Sequence, residues 1–142
     1  MLYSTRGSIY RTVLAIFIGF AFCFALCWPQ YAKYRNGKQL NQAAELGRAL
    51  AFAEGSYKQQ HGQYTPLLGQ LKVSLPCPMV SNGQGPHLDC PDYMYQLQEN
   101  GVIRVSHKQL PVWLEIGIEA GSVTCLHPEN DWAGQDLCAR LQ

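Results

Sequence analysis

The chain has 142 residues and is almost neutral, with 11 Lys and Arg side chains against 10 Asp and Glu and a formal net charge of +1 at pH 7. All ten acidic side chains lie after residue 32, where they meet nine basic ones. Nucleic-acid binding normally requires a basic patch or stripe, and the basic cluster here is only Lys33, Arg35 and Lys38. The charge balance therefore argues against a nucleic-acid partner, and this cluster, beside an apolar segment, suits lipid head groups better.

An uncharged segment runs from Thr12 to Ala32 near the N-terminus. Its centre, residues 13–28, contains no polar residue, and with its flanks the segment reaches the roughly 20 residues that a bilayer-spanning helix needs. A cleaved secretory signal would require a small-residue A-x-A-like site soon afterwards, but the run ends in Cys27-Trp28-Pro29-Gln30-Tyr31. We therefore predict a membrane-spanning helix, and a plain signal anchor remains an open alternative.

Six cysteines fall into two groups. Cys23 and Cys27 lie four residues apart inside the apolar segment and are interpreted as small buried apolar side chains. The other four lie in Pro- and Gly-rich sequence: Cys77, Cys90, Cys125 and Cys138. An even number in a head of about 110 residues behind a membrane anchor is typical of disulfides in an oxidising compartment. Of the three possible connectivities we favour the local pairs Cys77–Cys90 and Cys125–Cys138, each closing a loop that contributes roughly 3 kcal/mol in the chain-entropy description.

The alternative for these four cysteines is a zinc site that also uses His87 or His127. It is disfavoured because the chain contains no C-x-x-C pair. Basic residues flank the apolar segment on both sides, so they leave its orientation in the membrane undecided. The predicted disulfides decide it and place residues 33–142 outside the cytoplasm.

An amphipathic helical pattern continues from the apolar segment. Its apolar side chains recur at three- and four-residue spacing: Leu40, Ala43, Gly47, Leu50, Ala53 and Tyr57. Pro29 is expected to kink the helix rather than end it, so residues 9–60 are predicted as one helix. The charge pairs Glu45/Arg48 and Glu54/Lys58 are expected on the side that faces solvent.

The helix is predicted to end at His61-Gly62, and a turn-rich connector and a Pro- and Gly-rich loop over residues 75–91 follow. Four strand patterns come next: Tyr93–Gln98, Val102–His107, residues 112–118 and residues 122–126. Asn100-Gly101 indicates a hairpin between the first two, and the chain is predicted to close with a loop. This order predicts an α+β fold in which a long helix lies across a small antiparallel sheet.

Several motifs resemble those of type IV pilin-like proteins, the pilins and the type II secretion pseudopilins. Arg6-Gly7-Ser8 resembles the end of the basic leader that a prepilin peptidase cuts. Residues 28–34 are similar to the family's Pro-x-Tyr-x-x-Tyr segment, and residues 61–65 resemble the Asn-Gly-x-Tyr-Pro/Thr turn that often ends the long helix. The Cys125–Cys138 pair resembles the disulfide-bounded loop near the C-terminus of many pilins. The resemblance covers the whole chain but is specific only in the first 35 or so residues.

The resemblance implies a leader at residues 1–7, the transmembrane half of the long helix at residues 8–32 and a periplasmic or extracellular pilin head at residues 33–142. Cleavage after Gly7 would make Ser8 the N-methylated first residue. The implied partners are other pilin subunits, a prepilin peptidase, an inner-membrane assembly platform and membrane lipid. The implied location is the bacterial inner membrane and then a pilus, a pseudopilus or the cell surface.

Two positions depart from the family pattern. Mature chains of the family usually begin with Phe or Met and carry Glu at the fifth position, whereas this chain would begin with Ser8 and carry Thr12 at the fifth. In major pilins that Glu meets the N-terminal amine of a neighbouring subunit, and some minor, tip-located pseudopilins lack it. The resemblance thus favours a minor or initiating subunit. The alternatives are a divergent major pilin, a DNA-binding competence pilin and a plain signal-anchored periplasmic protein.

No pattern in the sequence indicates catalysis. The chain contains no nucleophile elbow, zinc-protease helix or phosphate-binding loop. The four histidines are predicted in turns or at strand edges: His61, His87, His107 and His127. We therefore expect no enzymatic activity, no cofactor and no metal.

Overall fold

The computed structural model describes residues 5–65, 67–71, 73–83 and 85–141, with side chains described from residue 9 onward. The chain divides into two compact units, Met1–Asn36 and Gly37–Gln142. Helix α1, Thr5–His61, contributes to both units and contains Pro29 in its interior. The helix therefore continues through this proline, as the sequence predicts.

The second unit contains a six-stranded antiparallel sheet in which each strand pairs with its neighbours in sequence. Its strands are β1 Met79–Asn82, β2 Gly85–Asp89, β3 Tyr93–Gln98, β4 Val102–His107, β5 Trp113–Gly117 and β6 Val123–Leu126. A 3-10 turn, Leu68–Gln70, lies between α1 and β1, and a second helix, α2 (Trp132–Cys138), follows β6. The layout is α+β, and this prediction is confirmed.

Two segments that the sequence predicts as loops contain regular structure. In residues 75–91, β1 and β2 form a hairpin with Val80 opposite His87. The closing segment contains α2, whose N-cap Asp131 accepts a hydrogen bond from the Ala133 amide. Both predictions of loops are wrong because residues that usually mark turns, among them Asn82, Pro86 and Gly134, here lie within short elements. Strand pairing and an N-cap supply the stability that intrinsic propensity lacks.

The core of the second unit lies between the C-terminal half of α1 and one face of the sheet. Alternate side chains of β3, β4 and β5 are buried, as the period of two in a strand requires: Tyr93, Tyr95, Ile103, Val105, Leu114 and Ile116. They meet the stripe of α1 that contains Leu40, Ala43 and Leu50. The Tyr95 hydroxyl donates to the Ala43 carbonyl at 3.4 Å, and burial raises the pKa of Tyr95 to about 12. The helix is thus fixed to the sheet by apolar burial, and this hydrogen bond adds a polar contact between the two layers.

Gly47 marks the closest approach of α1 to the sheet. A Cβ atom at this position would overlap Cδ1 of Ile116 and would lie 3.3 Å from Cγ2 of Val105. A glycine in a helix interior costs roughly 0.5–1 kcal/mol relative to alanine. The lack of a side chain is needed here because it lets the helix backbone lie against β4 and β5.

The prediction that Glu54 and Lys58 form a pair on the solvent-facing side of the helix is wrong. Glu54 is fully buried, at 0% exposure, because it continues the buried stripe of α1 one turn beyond Leu50. Lys58 instead donates to Glu119 at 2.7 Å and lies 4.5 Å above the ring of Tyr64. An i,i+4 charge pattern alone does not show on which side of a helix the first residue lies.

Candidate functional site

The apolar N-terminal segment of α1 is exposed on all its faces. Among its large side chains Tyr10, Phe17 and Phe20 are the most exposed, at 82%, 70% and 74%. The others are Ile9, Val13, Leu14, Ile16, Ile18, Phe22, Phe24, Leu26, Trp28, Tyr31 and Tyr34. A helix that is apolar all round is typical of a membrane span or of the interior of a larger assembly. Within the described residues, α1 is the one helix that is long and apolar enough to cross a membrane.

The exposed apolar side chains of this segment are expected to be buried by contact with another apolar surface. Fully burying one large apolar side chain is worth about 1.5–3 kcal/mol relative to leaving it in water, and the second unit packs its own core without these residues. Lipid tails or the helices of other subunits could supply the contact. We name the exposed apolar residues 9–34 the apolar helix face, and it is the principal candidate site of the chain.

The residues predicted for processing lie at the start of α1. Residues 1–4 of the predicted leader are outside the described residues. The backbone of Gly7 and Ser8 is helical, but their side chains are not described. Thr12 is exposed and lies four residues after Ser8, about one turn further along the helix. If the chain began at Ser8, its fifth residue would be Thr12, which carries a hydroxyl and no carboxylate.

Cys23 and Cys27 are free thiols on the apolar helix face, and both are exposed in the single chain. The expectation that they are buried side chains is therefore wrong for the chain by itself. Their spacing of four residues places them on one face of α1. Any burial must come from lipid or from another chain, as it must for the aromatic residues around them.

The disulfide Cys77–Cys90 closes the base of the β1–β2 hairpin. The two cysteines are 13 residues apart, with their Cα atoms separated by 5.0 Å. Their positions continue the strand register in which Met79 faces Leu88, so the disulfide is a covalent rung beyond the last paired residues. It holds together a hairpin that is rich in Pro and Gly.

The disulfide Cys125–Cys138 joins β6 to the end of α2. Its Cα atoms are 5.6 Å apart, and it encloses a loop in which Trp132 is 73% exposed. Gly134 allows the tight packing of α2, because a Cβ there would lie 2.6 Å from Oδ2 of Asp131 and 2.7 Å from Cβ of His127. The C-terminal loop is therefore pinned at both ends and presents an indole ring to the surface.

Mapping of the cysteines provides a test of this arrangement. Non-reducing peptide mapping should show the pairs Cys77–Cys90 and Cys125–Cys138, with free thiols at Cys23 and Cys27. Replacing either disulfide by two alanines should lower the free energy of unfolding by roughly 3 kcal/mol, the loop-closure value for a loop of about this length. The matched control replaces Cys23 and Cys27 by alanine, which should leave the unfolding of the head unchanged. Alkylatable thiols at the four head positions, or zinc in the purified protein, would contradict the assignment.

The histidines do not form a metal site with the cysteines. All four head cysteines are in disulfides, and the described residues contain no cluster of three or more metal-binding side chains. His87 is buried within β2, with its Nδ1 atom 2.9 Å from the Gly85 carbonyl oxygen, so its prediction in a turn or at a strand edge is wrong. The His107 ring contacts Tyr93 edge to face at 4.8 Å, and burial lowers the pKa of His107 although Asp92 opposes the shift.

One surface feature was not predicted from the sequence. Phe52 is 79% exposed on the outer side of α1, and it lines two open grooves of about 700 Å³ and 650 Å³. The first groove lies between α1 and residues 70–73, and the second lies between α1 and the β5–β6 turn at Glu119. Phe52 lies outside the apolar stripe of α1. A large aromatic residue outside the buried stripe of a helix is the feature of the sequence that indicates an exposed apolar side chain.

Comparison with protein-family models, with curated protein sequences and with solved structures finds no significant match to this chain.

Proposed function

We propose that the chain is a membrane-anchored subunit of a type IV pilus-like or type II secretion pseudopilus filament, and that it is a minor or initiating subunit. The observation that carries the proposal is the apolar helix face, which is exposed on every side while its helix continues into a disulfide-bonded head. A subunit of this kind first uses the helix as an anchor and later packs it among the helices of a fibre. The alternative of a plain signal-anchored protein uses the helix only as an anchor.

In the proposed mechanism, the subunit waits in the inner membrane with its head in the periplasm and its leader in the cytoplasm. After cleavage and N-methylation at Ser8, the apolar helix leaves the lipid and packs against neighbouring helices. Lipid tails are as apolar as leucine, so the exchange gains little from hydrophobicity and must be driven by packing and shape. Gly19 supports close packing, because nothing lies within 4 Å of the position a Cβ would occupy and a neighbouring helix can approach there.

The proposal of a minor subunit depends on Thr12. A carboxylate at the fifth position can form an ion pair with the protonated amine of a neighbour, whereas a hydroxyl carries no charge and can only accept a weaker hydrogen bond from that amine. A fibre built of this chain alone would lack the stronger contact at every subunit. A single copy at a tip would lack it once, and the filament would tolerate the deficit.

Processing of the N-terminus tests the proposal. Mass spectrometry of protein extracted from membranes of cells with an active prepilin peptidase should find Ser8 as the first residue. Replacing Gly7 by leucine should block the cut, because the resemblance to a cleavage site depends on that glycine. Gly19→Leu is the matched control in the same helix and should be cut normally. Intact chain beginning at Met1 in the wild type would contradict filament assembly and support the signal anchor.

A further inference from the structure

The segment that follows α1 runs back along the helix. We name residues 62–71 the strap; Pro66 lies outside the described residues. The Thr65 amide donates to Glu54, two turns before the end of α1, and Leu71 lines the same groove as Ala49 and Phe52, further back still. Leu68 and Leu71 of the strap are buried, at 2% and 6% exposure. The strap therefore covers part of the core between α1 and the sheet.

Thr65 organises the strap around this attachment. Its hydroxyl accepts a hydrogen bond from the Leu67 amide at 3.3 Å and contacts the side-chain oxygen of Gln70 at 2.9 Å. The residue itself is 1% exposed. The amide of Thr65 thus joins α1 to a locally ordered turn.

Glu54 is only half satisfied in this position. Its Oε2 atom accepts from the Thr65 amide at 3.2 Å, while its Oε1 atom is buried and has no hydrogen-bond partner among the described residues. Burial raises the pKa of Glu54, and the Thr65 hydrogen bond opposes this shift without cancelling it. A buried carboxylate without a cation is costly, and such groups tend to stay neutral instead.

The ionisable groups around Glu54 do not supply the missing charge. On α1, Lys58 is bound to Glu119 of the β5–β6 turn and to Tyr64 of the strap. Tyr57 and His61 of α1 stack on each other at 4.0 Å. Glu99, of the β3–β4 turn, lines the small groove beside Thr65, where its like charge would add repulsion.

We propose that the buried Glu54 makes the strap a pH-responsive latch, which is closed while the carboxyl carries its proton and opens when the carboxyl ionises. Opening follows ionisation because hydration of the charge and of the Oε1 atom, which is unpartnered among the described residues, outweighs the hydrogen bond from Thr65. The sign follows from linkage. In the open form the carboxyl is hydrated and titrates near its ordinary value, while in the closed form it titrates higher. Closure of the strap is therefore most favoured below pH 4.5, the ordinary pKa of the carboxyl. Between this pH and the higher pKa of the closed form, the equilibrium constant for opening grows by up to about tenfold per pH unit.

The neighbouring ion pair does not produce the same response. The hydrogen bond from Lys58 lowers the pKa of Glu119, whereas burial raises that of Glu54, so Glu119 ionises at a lower pH than Glu54. Release of the strap would expose Leu68 and Leu71, of which Leu71 lines the same groove as Phe52. The latch thus couples pH to the apolar surface around the Phe52 grooves.

Hydrogen exchange on the full-length protein in detergent micelles tests the latch. Amide protection of the strap, corrected for the intrinsic pH dependence of exchange, should fall as pH rises above 4.5, while protection of β4 stays constant. Glu54→Gln keeps the shape and the acceptor oxygen but cannot ionise, so its strap protection should not depend on pH. Glu45→Gln, an exposed position on the same helix, is the matched control and should retain the wild-type response.

Two results would overturn the proposal: strap protection in the wild type that is independent of pH, or a pH response that survives in Glu54→Gln. If Glu54→Gln fails to fold, the carbon-13 resonance of the Glu54 carboxyl in the wild type decides instead. Titration of that resonance above 4.5, together with the loss of strap protection, supports the latch. Titration at or below 4.5 contradicts it.

Discussion

Gly47→Ala is expected to destabilise the head by about 1–3 kcal/mol, the usual cost of forcing an extra carbon into a packed core. The new Cβ would overlap the end of Ile116, which is fully buried and has no free space to move into. This cost outweighs the gain of roughly 0.5–1 kcal/mol that alanine gives over glycine in a helix. Urea unfolding of the full-length protein in micelles, followed by circular dichroism, measures the difference.

The same substitution two turns further along α1 is the control. A Cβ at Gly55 would lie 3.7 Å from Ile118, an ordinary contact, so Gly55→Ala should be stabilising. Ile116→Val removes the overlapping methyl and should restore much of the stability lost in Gly47→Ala, although the valine alone costs about 0.5–1.5 kcal/mol. If Gly47→Ala and Gly55→Ala were equally stable, the close approach of α1 to the sheet would be contradicted.

The second large effect concerns the abundance of the protein in the proposed filament. Quantitative proteomics of sheared filaments should find this chain far below the main subunit, because an initiating or tip subunit is needed in only one or a few copies per filament. A filament built mainly of this chain would have the uncharged hydroxyl of Thr12 in place of a carboxylate at every such contact, so another subunit is expected to form its bulk.

Two variants at this position separate charge from size. Thr12→Glu introduces the carboxylate, and Thr12→Gln introduces a side chain of similar size without the charge. For a minor subunit neither variant should raise the amount found in filaments, because its role needs only one or a few copies. If the wild-type chain is the most abundant component, or if Thr12→Glu but not Thr12→Gln improves its assembly, the protein is a divergent major subunit.

Much of the fold follows from local pattern. The alternation in Tyr93–Gln98 and Val102–His107 predicts β3 and β4 with the bounds that the structure has, because one face of each strand is buried and the other is not. The apolar helix face could also be predicted, since it depends on composition over many residues. The pairing of the four head cysteines follows the preference for short loops.

The features that could not be predicted depend on contacts between distant residues. Glu54 is an acidic residue four positions before a lysine, a spacing that favours an exposed ion pair. Its burial depends on the packing of α1 against the sheet and on the strap, whose Thr65 amide donates to it. Phe52 is exposed although it is aromatic, because the helix turns its other side to the sheet. The β1–β2 hairpin depends on pairing with β3 and on a disulfide, neither of which appears as propensity within its own residues.

The order of the strands in the sheet has a consequence for biogenesis. Each strand bonds only to the strands before and after it in the chain, and each disulfide joins cysteines 13 residues apart. Short loops close in well under a microsecond and hairpins in about 1–10 μs, so each hairpin can form without waiting for a distant strand. If the chain crosses a membrane from its N-terminal end onward, as the proposed function implies, the sheet can form one strand at a time as the chain emerges. No long edge then needs to wait unpaired beside other copies of the chain, which limits the opportunity for aggregation.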